Sequence, residues 1–270
     1  MFLFCIYTGI ASAQETRQQF IGAEAGMAFI ESEMPNMDYI RGEIASYSGG
    51  YSNSSLTSLT YKSYIGIKPE YFSLNNKLGI LAGIRFTGIN NSVGKNSYLA
   101  NNSDYFYFLY REDGITTEYL RVKQIIQKSD YLGIPFEIRY FPFKPRLFRI
   151  YFKLGTEINF IVKTQTDIVF SDNAMEVYQK ELAEKVGQPR SLHASVYGAG
   201  GVRLGRESKP SVSIEMTLPY LFLTPESSGL ANPIFGGGFQ VNFQIPIKSK
   251  YNEKAITYLL RSNTDFSILR

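Results

Sequence analysis

The chain reads as an all-β protein, an eight-stranded antiparallel transmembrane β-barrel of up-and-down topology with long extracellular loops and short periplasmic turns. Three observations predict it. Eight stretches alternate apolar and polar residues, the connections between them run long, short, long, short, long, short, medium, and aromatic side chains gather at both ends of the alternating stretches. Side chains of a strand point to opposite faces with a period of two, so each stretch has one apolar and one polar face. A soluble sandwich shows its polar face to water, whereas a membrane barrel turns the apolar face to lipid and encloses the polar one.

Composition agrees with strands. The 270 residues include 20 Tyr, 20 Phe and 23 Gly but no Trp, and aromatics favour strands and membrane interfaces. Mean hydropathy is -0.14, an average that a barrel with polar lumen and loops shares with soluble proteins. No stretch approaches the roughly 20 apolar residues of a spanning helix.

The first strand sets Ile21, Ala23, Ala25, Met27 and Phe29 against Gly22, Glu24, Gly26 and Ala28. A long polar segment is expected from about Ile30 to Ser58. The second strand sets Leu59, Tyr61, Ile65, Ile67, Pro69 and Tyr71 against Lys62, Tyr64, Gly66, Lys68 and Glu70, and ends in the turn Ser73-Leu74-Asn75-Asn76. The third sets Leu78, Ile80, Ala82, Ile84 and Phe86 against Gly79, Leu81, Gly83, Arg85 and Thr87. Another long segment runs to about Lys128. Within it Tyr105 to Tyr110 and Tyr119 to Ile126 read as a hairpin extension turning at Glu112-Asp113-Gly114.

The fourth strand places Leu132, Ile134, Phe136, Ile138 and Tyr140 opposite Gly133, Glu137 and Arg139, and leads through Pro142-Phe143-Lys144-Pro145 into the fifth. There Phe148, Ile150, Phe152, Leu154, Ile158, Phe160 and Val162 alternate with Arg149, Tyr151, Lys153, Gly155, Glu157 and Asn159. In the third long segment Met175, Tyr178, Leu182 and Val186 recur at helical spacing and predict a short amphipathic helix. The sixth strand sets Leu192, Ala194, Val196, Val202 and Leu204 against His193, Ser195, Tyr197 and Arg203. A polar turn, Gly205 to Lys209, precedes the seventh, where Val212, Ile214, Met216 and Leu218 oppose Ser213, Glu215 and Thr217. After a loop from Leu221 to Asn232, the eighth sets Phe235, Phe239, Val241, Phe243 and Ile245 against Gly236, Gly238, Gln240, Asn242 and Gln244.

Five outward residues per strand rise about 27 Å, which a tilt of about 40° reduces to roughly 20 to 25 Å, the height of an outer-membrane barrel's apolar band. Tyr71, Tyr140, Phe148 and Phe243 fall at the short-turn end; Phe29, Tyr61, Phe86, Phe160, Tyr220 and Phe235 fall at the long-loop end. These are the expected interfacial girdles. A lipocalin would turn the apolar face inward around a ligand, and alternation alone does not separate the two architectures. The loop asymmetry, the girdles and an export signal favour the membrane barrel.

That signal is the apolar N-terminus closing on Ala11-Ser12-Ala13, a small-x-small cleavage site, so residues 1–13 are expected to be a signal peptide, 19–247 the barrel and 248–270 a periplasmic tail. Cleavage there removes Cys5, the only cysteine, and leaves no disulfide or thiol chemistry. The net charge of +4 is spread without a basic run, so nucleic acid is not an expected partner. The expected partners are outer-membrane lipid, the barrel assembly machinery during biogenesis, and another envelope protein met through loops or tail.

The fourth strand, Asp130-Tyr131-Leu132-Gly133-Ile134-Pro135-Phe136-Glu137-Ile138-Arg139-Tyr140-Phe141, resembles the Tyr-Leu-x-Ile-Pro-x-x-x-x-Tyr strand of the PorT-like outer-membrane β-barrel proteins of Bacteroidota. Their signal junction, Ala-x-Ala-Gln, is similar to Ala11-Ser12-Ala13-Gln14. The resemblance covers about Gln19 to Ile247 and implies an eight-stranded barrel in the outer membrane; a few members assist secretion. The tail from Lys248 to Arg270 departs from a barrel that ends on its last strand.

Glu24, Lys62, Lys68, Glu70, Arg85, Glu137, Arg139, Arg149, Lys153, Glu157, Arg203 and Glu215 share the lumen-facing phase. An eight-stranded barrel is just wide enough for side chains to fill it, so a salt-bridged plug is expected rather than an ion path. The weaker catalytic alternative is His193-Ala194-Ser195, similar to the His-x-Ser pair of outer-membrane lipid A deacylases, in which Ser is the nucleophile and His its base. Here both residues carry the lumen phase, and no orienting Glu follows. No zinc spacing, Walker loop, dinucleotide fingerprint or calcium loop occurs, so neither metal nor cofactor is expected. Gly198, Gly200, Gly201, Gly236, Gly237 and Gly238 resemble a phosphate loop only superficially, because they sit in strands. The long loops, rich in Tyr, Ser and Asn, suit recognition by aromatic contact and adaptable hydrogen bonds. The tail reads equally as a short docking helix or as disordered chain.

Overall fold

The computed structural model describes residues 19–34, 38–41, 56–73, 76–95, 104–112, 117–143, 147–206, 209–223 and 229–247. The expected signal peptide with Ala11-Ser12-Ala13, the tail from Lys248, and the turn residues Leu74-Asn75, Asp113-Gly114 and Lys144-Pro145 lie outside the described residues. In chain order the strands are β1 (Gln19–Glu33), β2 (Ile40–Arg41), β3 (Leu56–Ser73), β4 (Leu78–Ala82), β5 (Ile84–Lys95), β6 (Phe106–Glu112), β7 (Thr117–Tyr140), β8 (Phe148–Phe170), β9 (Leu192–Leu204), β10 (Ser211–Phe222) and β11 (Asn232–Pro246). A 3-10 turn (Asn173–Tyr178) and the helix α1 (Gln179–Lys185) stand between β8 and β9.

Eight staves close a ring: β1, β3, β4 continued by β5, β7, β8, β9, β10 and β11, each antiparallel to its neighbours, with β11 returning to β1 from Ile21↔Ile245 to Phe29↔Gly237. Each stave contains one of the eight alternating stretches. β4 and β5 are one stave broken at Gly83, where a Cβ would stand 2.6 Å from Lys68 Cγ. Closure leaves no edge, so the wall's backbone groups pair with each other and need no water, as a wall in lipid requires.

The outward phase is apolar on every stave. Ile65 is 62% exposed, Ile134 54%, Phe152 60% and Phe239 57%. The inward phase is polar and buried. A closed wall with this polarity is a transmembrane barrel of the outer-membrane type. The girdle residues Tyr71, Tyr140, Phe148, Phe243, Phe29, Tyr61, Phe86, Phe160 and Phe235 are all exposed on the outside. Tyr220 corrects the expectation: it is 2% exposed and points into the lumen. The register of β10 against both neighbours slips between Thr217 and Tyr220, placing Leu218 and Pro219 both outward and reversing the phase beyond them.

The staves also outrun the membrane. β1 continues to Glu33 and β3 begins at Leu56 inside the segment expected as loop, β5 runs on to Lys95, and β8 extends to Phe170. The β6–β7 hairpin is present as expected, and β2 adds to its edge through Ile40↔Phe108.

Above the band the polarity inverts. Extra residues at Lys123 on β7, between Val122 and Gln124, and at Val162 on β8, opposite Asp130 and Tyr131, change which residues face inward. Arg121, Lys123, Lys128, Lys163 and Gln165 are exposed, while Val122, Ile125, Phe106, Phe108, Ile168 and Phe170 form an apolar core beneath Leu182 and Val186. The helical spacing of Met175, Tyr178, Leu182 and Val186 is borne out: all four pack on this core. The protein therefore has two interiors, a polar one within the membrane and an ordinary apolar one in an extracellular crown, each matched to the solvent outside it.

Candidate functional site

All twelve lumen residues singled out from the sequence, Glu24, Lys62, Lys68, Glu70, Arg85, Glu137, Arg139, Arg149, Lys153, Glu157, Arg203 and Glu215, are inward and at most 5% exposed. Arg85 is the hub of the outer half: its Nε lies 2.8 Å from Glu24, its Nη2 3.1 Å from Glu137 and its Nη1 2.5 Å from Glu157. Lys62 lies 3.0 Å from Glu157, and Lys68 bridges Glu24 and Glu137 at 2.5 and 2.7 Å. In the periplasmic half Arg139 pairs with Glu70 at 3.3 Å and Glu215 at 2.7 Å, Arg203 pairs with Glu70 at 3.1 Å, and Lys153 bridges Glu137 and Glu215.

Among the described residues, seven buried cations thus face five carboxylates in the lumen. Carboxylates shared among several cations replace the hydration that the narrow bore excludes.

Aromatics seal both ends, and sequence reasoning missed this. At the periplasmic end Phe20, Phe72, Phe141 and Tyr151 pack together, with the Arg203 guanidinium 4.4 Å from the Phe20 ring and that of Arg149 4.9 Å from Phe141. At the outer end Ile30, Ile89, Tyr131, Tyr197, Tyr220 and Phe222 form a second layer, in which Tyr197 and Tyr220 stack at 5.3 Å. The available signal was phase: Tyr64, Tyr151 and Tyr197 alternate with lipid-facing residues as the charged residues do. Their hydroxyls donate inward, Tyr197 to Glu137 and Tyr151 to Glu215, each at 2.7 Å. The charge network lies between these two aromatic layers.

His193 and Ser195 share the lumen face of β9 as expected, but they do not form a nucleophile–base pair. Ser195 Oγ is hydrogen-bonded to Tyr220 OH at 2.9 Å, while the His193 ring lies between Tyr131 and Phe222, with centroids 4.6 and 5.6 Å away. Among the described residues no cluster of His, Cys, Asp or Glu is arranged to hold a metal ion.

The crown is the other candidate. α1 is tied down by Lys185 Nζ donating to the carbonyls of Leu109 and Tyr110, and Tyr110 packs on Tyr178 at 4.8 Å. Buried Gln127 holds two roof segments, donating to Gly187 O at 2.9 Å and accepting from Leu230 N at 3.0 Å. Tyr39 packs on Phe108 at 4.9 Å, and burial pushes its phenol up to about 12. On the outer face of the β6–β7 hairpin Tyr105, Tyr107 and Tyr119 make a ladder of edge-on contacts at 5.6 and 6.4 Å, and the Arg121 guanidinium lies 5.0 Å from Tyr105.

No family model and no curated protein matches the chain. Among solved structures it is similar to the outer membrane protein OprG from Pseudomonas aeruginosa, at 9% identity over 86% of this chain and 97% of that one, with a TM-score of 0.47. It is also similar to the translocator domain of the autotransporter NalP from Neisseria meningitidis, at 7% identity over 92% and 94% of the two chains, with a TM-score of 0.35. A Pseudomonas aeruginosa FadL homologue is similar at 10% identity over 82% and 64%, with a TM-score of 0.24.

Proposed function

We propose that this outer-membrane barrel is a non-enzymatic, non-conducting platform whose extracellular crown binds a partner. The observation that carries this reading is the double interior. The membrane segment is filled with paired charges and sealed by aromatics, whereas the strands continue outside as a folded, water-facing unit with its own core. Such an extension is not needed to close hairpins, and its outer face presents the tyrosine–arginine ladder, residue types concentrated in interface hot spots.

The test is site-specific photo-crosslinking in whole cells, with the photoreactive residue at Tyr107 or, as a control, at lipid-facing Phe152. A discrete adduct at Tyr107 that Arg121→Ala abolishes supports the reading; equal, diffuse adducts at both positions overturn it. The secretion role that the Tyr131–Tyr140 resemblance implies is a second proposal, tested by whether Tyr107→Ala/Arg121→Ala cells, with barrel levels unchanged, lose secreted proteins from the medium.

A further inference from the structure

The two rims of the barrel differ in the sign of their exposed charge. At the outer rim the signs are mixed: Glu31 and Glu33 stand exposed on β1, Lys128 and Lys163 on β7 and β8, and Lys128 lies 3.8 Å from Asp167. At the periplasmic rim every exposed charge among the described residues is a cation: Lys77 just before β4, and Arg206 and Lys209 between β9 and β10. Among the described residues none of these three side chains has an ion-pair partner. Glu70, the one acid of β3, is fully buried and already pairs with Arg139 and Arg203.

The sequence sharpens the contrast. The β3–β4, β7–β8 and β9–β10 connections and the four residues after Pro246 hold seven basic residues, with Lys144, Arg146, Lys248 and Lys250 completing the set, against the single acid Glu207. The whole chain has 28 basic and 24 acidic residues, so the excess belongs to this end and not to the average composition.

Strand register fixes the depth of the three exposed cations. Lys77 precedes Leu78, which pairs with the girdle residue Tyr140, and the Lys77 carbonyl accepts from Phe141 N at 2.8 Å. Arg206 lies two residues beyond Leu204, the partner of girdle Phe148, and Lys209 lies three residues before Val212, the partner of girdle Phe243. A residue of tilted strand climbs about 2.6 Å, so all three stand at most about 8 Å beyond the girdle. The headgroup layer is roughly 5 to 8 Å deep on each side of the hydrocarbon, and the long stems of Lys and Arg place their charges within it. The β3–β4 and β9–β10 connections are four staves apart in a ring of eight, on opposite sides of the wall. A lipid leaflet surrounds the barrel and meets both sides at one depth, whereas a single acidic protein segment would have to cross the mouth to reach both.

We propose that the periplasmic rim binds the phosphates of anionic glycerophospholipids in the inner leaflet through Lys77, Arg206 and Lys209. The phosphate oxygens accept from the ammonium and guanidinium groups, the acyl chains lie along the outward face at Tyr140, Phe148 and Phe243, and the contacts hold the barrel at one depth.

The test places the full-length protein in phosphatidylcholine bilayers and measures, with spin-labelled lipids, the preference of the barrel surface for phosphatidylglycerol over phosphatidylcholine. Expected is a preference of at least about threefold that falls as salt is raised. Lys77→Gln/Arg206→Gln/Lys209→Gln is expected to reduce it by half or more, and the outer-rim control Lys128→Gln/Lys163→Gln to leave it unchanged; all five residues are exposed, and heat-modifiable migration verifies that each variant is folded. A smaller wild-type preference, a triple variant that keeps more than half of it, or an equal loss in the outer-rim control overturns the proposal. Displacement of the lipid by inorganic phosphate at matched ionic strength would assign the rim to a free anion and also overturns it. A discrete protein adduct from a photoreactive residue at position 77 in whole cells, with no lipid preference in bilayers, would assign the rim to an acidic protein instead.

Discussion

Lys62 on β3 and Glu157 on β8 meet across the barrel axis, with both carboxylate oxygens 3.0 to 3.1 Å from the lysine nitrogen and neither side chain exposed. Removing one partner of a buried pair leaves an uncompensated charge and costs about 3 to 5 kcal/mol. Lys62→Met and Glu157→Gln are each expected to lower unfolding free energy by about that much, measured by urea titration of heat-modifiable migration. The double variant is expected to lose less than the sum of the two. Additive losses would show that the contact is not energetically coupled.

Glycine makes room for the lumen tyrosines. A Cβ at Gly155 would stand 2.5 Å from Tyr197 Cε2, but one at Gly200, on the lipid side of β9, would meet nothing within 4 Å. Overpacking of this kind costs about 1 to 3 kcal/mol. Gly155→Ala is therefore expected to destabilise the barrel by about that amount in the same titration, and Gly200→Ala to leave it unchanged or slightly more stable.

The membrane half of this architecture was legible in the sequence, and the crown much less so, for one physical reason. Lipid tolerates no break in the apolar face, so β8 keeps strict phase from Phe148 to Phe160 and β7 from Leu132 to Tyr140. Above the band that constraint ends, and the extra residue Val162 on β8, opposite Asp130 and Tyr131, swaps the faces, so Ile168 and Phe170 point inward where earlier even-numbered residues of β8 point to lipid. Read along the chain, the alternation dissolves into apparent loop, although it has only changed partners. Likewise the lumen charges were recoverable one at a time from phase, but not their pairing. Arg203 and Glu70 are 133 residues apart, and only the closed ring brings them together.

The crown's core predicts a local effect. Leu182 is fully buried and seats α1, so Leu182→Ala is expected to loosen the helix by about 2 to 5 kcal/mol. Because the lumen network lies elsewhere, unfolding should be confined to the crown. Trypsin cleavage after Lys180 and Lys185 in intact cells is expected to accelerate, with heat-modifiable migration of the barrel unchanged. Loss of both together would mean that crown and barrel fold as one unit.

The orientation of the two faces gives the last prediction, through the depth dependence of charge in lipid. Phe136 lies midway along the lipid-facing run of β7, and Tyr140 lies at its periplasmic end; both are about half exposed on the outside. An arginine on the lipid face costs about 2 to 4 kcal/mol at the bilayer midplane and about 0 to 1 near the interface. Phe136→Arg is therefore expected to destabilise the protein folded into liposomes by about 2 to 4 kcal/mol, and Tyr140→Arg by less than about 1. The contrast is specific to a bilayer. If the apolar exterior were instead covered by another protein or exposed to water, the difference would vanish in water or follow the covering surface, not the depth. Equal costs at the two positions would mean that the outward face of β7 does not cross a membrane.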